Sequence, residues 1–146
     1  MGWQGHWHGY GWVGSGEEYR KEFLRRPGPP GDPSTAAFMT SRLPPMMTGH
    51  WLLKRAQTAS DQTWGDVDEA IAWLRARYED NPPYLRESGG RAGLPLVAKI
   101  EYARVTLPLG VDVVWGYWTH SQSMAHYAVI CCPSRHHDIP CPMPPS

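Results

Sequence analysis

One stretch of the chain limits its fold more than any other. In TWGDVDEAIAWLRARYEDNPP the apolar residues Val67, Ala70, Ile71, Leu74 and Tyr78 recur every three or four positions. On a helix they form one stripe, and that stripe must be covered by something apolar. Thr63 or Gly65 can start this helix, and Asp66, Asp68 and Glu69 suit its first turn. Arg75 and Arg77 suit its last, and Pro82 and Pro83 forbid continuation.

The covering surface is expected downstream. Leu96 to Leu107 alternates Ala98, Ile100 and Tyr102 against Lys99 and Glu101, which predicts a half-exposed strand after a Gly89, Gly90, Gly93 connection. Pro108 and Gly110 make a turn. Val111 to Thr119 then sets Val111, Val113, Trp115 and Tyr117 on one face, and His126 to Cys132 supplies a third strand. The expected class is α+β, one amphipathic helix packed on a three-stranded antiparallel meander. At 146 residues the chain suits one domain.

Fifteen Gly and fifteen Pro are too many for every segment to be regular. Three regions follow. Residues 1–45 read as an aromatic, Gly-rich arm, a short helix capped by Ser15 and a Pro-rich linker. Residues 46–133 form the α+β domain, opening on a short helix that Thr48 caps and that carries Trp51, Leu52 and Ala56. Residues 134–146 are an irregular Cys/His/Pro-rich tail.

Charge is balanced, 14 basic against 14 acidic side chains, so nothing draws the whole chain to nucleic acid or an anionic membrane. No export signal and no membrane span is legible, and the expected location is cytoplasmic. Three cysteines crowded near the C-terminal end do not make a disulfide framework, and reduced thiols are expected.

Soft metal ligands are concentrated in the same place. Cys132, His136, His137 and Cys141 offer the thiolate and imidazole donors that zinc prefers. Their spacing is unlike the two separated pairs of a structural zinc site. Adjacent Cys131 and Cys132 would point to opposite sheet faces, so only one can join a given site. His120 or His126, or His6 and His8, can complete the set. Buried apolar cysteines and solvated histidines are the plain alternative.

Cys131-Cys132-Pro133-Ser134-Arg135 resembles the formylglycine-forming motif of sulfatases, in which Cys131 would be converted, but the match spans five residues and the chain is too short for that family's domain. Cys132, His126 and Asp112 have the residue types of a thiol hydrolase. Trp3, Trp7, Tyr10 and Trp12 can anchor a protein partner. With Trp115, Tyr117 and nearby arginines such rings can also stack on bases, although residues 1–16 hold no Lys or Arg.

Arg outnumbers Lys eleven to three and Asn81 is the only Asn, a usage typical of GC-rich coding. In length and residue usage the chain resembles the small accessory proteins of streptomycete conjugative plasmids, including their spread proteins. That resemblance implies a non-enzymatic accessory or interaction role in plasmid transfer or spread. Nucleic-acid binding through Arg and Trp/Tyr side chains and a small zinc-binding protein are the alternatives.

Overall fold

The computed structural model describes residues 3–84 and 95–145, and the Gly89, Gly90, Gly93 connection lies outside them. The α+β class holds, with four antiparallel strands in place of three. These are β1 (His6–Gly14), β2 (Thr63–Trp64), β3 (Val113–Trp118) and β4 (Met124–Cys132), ordered β2-β1-β4-β3. The helices are α1 (Gly16–Tyr19), α2 (Pro33–Thr40), α3 (Val67–Asp80) and α4 (Leu96–Thr106).

The stripe of α3 behaves as its spacing requires. Ala70, Ile71 and Leu74 are buried, and Asp66 caps the helix by accepting from the Asp68 amide. Against it lie Val113, Trp115 and Tyr117 of β3 and Tyr127, Val129 and Cys131 of β4. Burying Ile71 and Leu74 is worth about 1.5–3 kcal/mol each.

Two expectations are corrected. Leu96–Thr106 is a helix. Leu96, Ile100, Ala103 and Leu107 all meet the core, and their spacing is the three- and four-residue stripe of a helix, which overrides the chance alternation of Ala98, Ile100 and Tyr102. Gly110, with φ of 82°, ends that segment.

The Gly-rich N-terminal segment is likewise not irregular. It forms β1, paired along all nine residues with β4. Its glycines are what make the strand possible. A Cβ on Gly9 would sit 2.6 Å from the Trp64 ring and 3.1 Å from that of Trp73, and one on Gly11 would sit 2.8 Å from Tyr127. Both glycines make room for aromatic rings on the helix face, where Trp7 is buried.

The other face holds His8, Tyr10, Ala128 and Ile130 and is covered by Trp51 and Leu52. These last two lie in a 3-10 stretch, Thr48–Leu53, which has no side-chain cap from Thr48. Residues 27–45, expected as a Pro-rich linker, contain α2, which starts on Pro33 with Asp32 as its cap and buries Phe38. Lys54 is buried and donates to the carbonyls of Phe38 and Ser41, both at 2.7 Å, closing the C-terminal end of α2. Arg25, just after a 3-10 turn at Glu22–Leu24, is buried and donates to the Pro44 and Tyr19 carbonyls. Ser15 does cap α1, accepting from the Glu18 amide.

Gly9→Val is expected to cost about 1–3 kcal/mol by overpacking Trp64 and Trp73, read from the midpoint of urea denaturation. His126, buried beside Trp51 and Tyr19, is held at about 4, first by burial and then by the Arg25 charge. The unfolded chain takes up this proton near the ordinary value of 6.5. Stability should therefore fall as pH drops from 6.5 to 4, and His126→Gln should remove on the order of 2 kcal/mol of that loss.

Candidate metal centre

The β1–β4 ladder sets His6 opposite Cys132. His8 is two residues along and points to the same face, because side chains alternate along a strand. The tail then returns and brings Cys141 over this pair. The ligand atoms of His6, His8, Cys132 and Cys141 all lie within 4.8 Å of one another. His6 Nε2 is 3.1 Å from His8 Nε2 and 3.4 Å from Cys141 Sγ. A tetrahedral zinc ion holds its nitrogen and sulfur ligands about 3.3–3.8 Å apart, given bonds of about 2.0–2.3 Å. The four donors thus need only small shifts to close on one ion.

The orientation of His8 is fixed from behind. The Thr63 hydroxyl donates to the Ala59 carbonyl at 2.8 Å, so its remaining role toward His8 Nδ1, 2.9 Å away, is to accept. His8 therefore carries its proton on Nδ1. Nε2 is left with a free lone pair aimed at the other ligands, the arrangement that metal-binding histidines obtain from an outer partner.

Burial prepares the charge states. His8 is held at about 4 by burial first and then by His6, and His6 is lowered by burial, partly offset by a backbone hydrogen bond to Met143. Both rings are neutral near pH 7, the form that ligates. The Cys132 thiol is pushed up to about 12 by burial and then by the hydrogen bond and charge of Cys141. An ion that binds must displace that proton, as thiolate ligation requires. All three cysteines are free.

Of the four ligands expected from the tail, the structure brings Cys132 and Cys141 together. It places the other two elsewhere, His137 against the His50 ring at 4.9 Å between centroids and His136 exposed. Their places are taken by His6 and His8. His6 and His8 are among the residues expected to complete the set, alongside His120 and His126, and only a strand reading of residues 6–14 chooses between them.

Cys131 does point to the opposite face, where its thiol lies 3.8 Å from the Leu107 carbonyl and its amide donates to Asp112. Burial, with Asp112 adding, raises its pKa. This thiol is part of the core, so the sulfatase-like motif has no accessible cysteine. The thiol-hydrolase set is not assembled either. Cys132 and His126 are six strand positions apart, about 20 Å, and Asp112 bonds the Cys131 amide.

Among the expected anchors, Tyr10 and Trp7 are buried, Tyr10 stacked on Trp51 at 4.9 Å, whereas Trp3 and Trp12 are half-buried. Trp115 and Tyr117 are core as well. No helix among the described residues is long and apolar enough to cross a membrane. Compared with known families, curated proteins and solved structures, the chain matches none.

Thr63→Val removes the acceptor for His8 Nδ1 while keeping the side chain's shape. Zinc affinity, measured by competition with a chromogenic chelator, is expected to fall about 10- to 100-fold with the fold retained.

Proposed function

We propose that this is a zinc-binding protein whose ion is structural. The observation that carries the reading is the convergence of four soft donors, His6, His8, Cys132 and Cys141, from three separate stretches of chain. Two histidines and two cysteines are a complete tetrahedral set, with no open position for a water or substrate. The ion clips β1 to the end of β4 and to the tail beyond it, and it contributes folding free energy rather than bond chemistry.

The reading keeps the non-enzymatic character expected from the sequence and replaces the aromatic arm as its basis, since Trp7 and Tyr10 are committed to the core. A part in plasmid transfer or spread rests on residue usage alone. Base stacking by Trp115 and Tyr117 is disfavoured by their burial.

Native mass spectrometry of protein purified without chelator is expected to show one zinc per chain. Cys141→Ser, at an exposed position, should lower zinc affinity by about 10-fold or more, and cobalt should give the intense visible bands of a tetrahedral thiolate site. Metal-free protein that takes up neither ion would overturn the proposal.

A further inference from the structure

A second feature lies at the other end of β1. The strand β2 pairs with β1 only at Trp7 and His8, because the chain just before it turns through a 3-10 segment, Ser60–Gln62. Beyond His8 that edge of β1 has no strand partner among the described residues. Unpaired edges of this kind are templates for another strand, and proteins usually blunt them.

Here the edge runs along the floor of a slot of about 410 Å³. Its walls come from the two layers that cover the sheet. Trp73 and Arg77 of α3 stand on one side, and Arg42, Gln57 and Gln62 on the other. An extended segment laid against Tyr10–Val13 would continue the line that β2 begins.

The slot also selects by charge. Among the described residues it is lined by two arginines and no carboxylate. Arg77 pairs one guanidinium nitrogen with Asp80 at 3.0 Å, yet its Nε is buried with no hydrogen-bond partner among the described residues. A buried donor left open is costly, and the partly exposed remainder of the side chain is what can turn toward an acceptor in the slot. Arg42 is exposed and makes no ion pair among the described residues.

We propose that the slot along the free edge of β1 at Tyr10–Val13 takes an extended acidic peptide as an added strand. The main-chain groups of β1 hydrogen-bond its backbone, as in other cases of strand addition. Arg42 and Arg77 take carboxylates that alternate along one of its faces. A strand edge offers donors and acceptors at peptide spacing, which a phosphate backbone does not match, and this favours a peptide over a nucleic acid. The site is independent of the zinc reading, since the proposed ligands on β1, His6 and His8, lie at its opposite end.

The test uses the full chain, checked for zinc content and circular dichroism, and a blocked hexapeptide of alternating Glu and Val, followed by calorimetry and amide shifts. Binding should move the amides of Tyr10–Val13. Arg42→Glu and Arg77→Gln should each weaken it by about tenfold, whereas Arg26→Glu, at an exposed arginine outside the slot's lining, should not. A peptide N-methylated at alternate residues should lose binding on the methylated edge. The proposal is overturned by no binding up to about 1 mM, or by equal binding of the N-methylated or a Lys-Val peptide. Full competition by inorganic phosphate, or tighter binding of oligothymidylate, would also overturn it, the last in favour of a nucleic-acid site.

Discussion

The pairing of β1 with β4 is the interaction on which the rest depends. Nine residues of one are matched with nine of the other, and β4 is buried along nearly its whole length. A strand covered on both faces and flanked on both edges must be apolar throughout, and MAHYAVICC meets that demand with His126 as its one strongly polar member. The aromatic core, the clamp of Lys54 on α2 and the approach of the tail are all built outward from this two-strand centre.

The register of the same ladder determines the metal site. A slip of one residue would turn His6 and His8 to the helix face and put Trp7 among the cysteines. Trp7 and the glycines prevent it. The indole donates to the Leu107 carbonyl at 3.2 Å, and only Gly9 and Gly11 leave space for Trp64, Trp73 and Tyr127. Packing on one face of the sheet thereby positions ligands on the other.

This division explains what was legible in the sequence. The helix α3 and strand β3 could be read because their apolar residues repeat with a clear period, and β4 because it is a short run rich in Tyr, Val and Ile between turns. β1 could not, because its glycines answer to rings contributed by α3 and β2, and a glycine that makes room for a distant ring looks the same as one that loosens a loop. In α4 two periods coexist over the same residues, and the buried set Leu96, Ile100, Ala103 and Leu107 decides between them only once the sheet is in place. The donor chemistry of the candidate site was visible in Cys132 and Cys141. His6 and His8 were visible too, but only as one option beside His120 and His126, and the choice between them required a cross-strand neighbour, which is a property of register.

The central pair also joins the earliest described strand to the latest. As the polypeptide is synthesised, β1 is made long before β4 exists, and until then its one strand partner among the described residues is the two-residue β2. Trp7, Tyr10 and Trp12 must wait in an unpaired segment while the intervening chain emerges. Such a topology places the closing step last and makes folding slow and all-or-none, because its principal contacts have the greatest sequence separation. Until β4 is added, the glycines serve a different purpose. By keeping the waiting segment supple and poor in β-branched residues, they protect it from pairing with other chains before its own partner arrives.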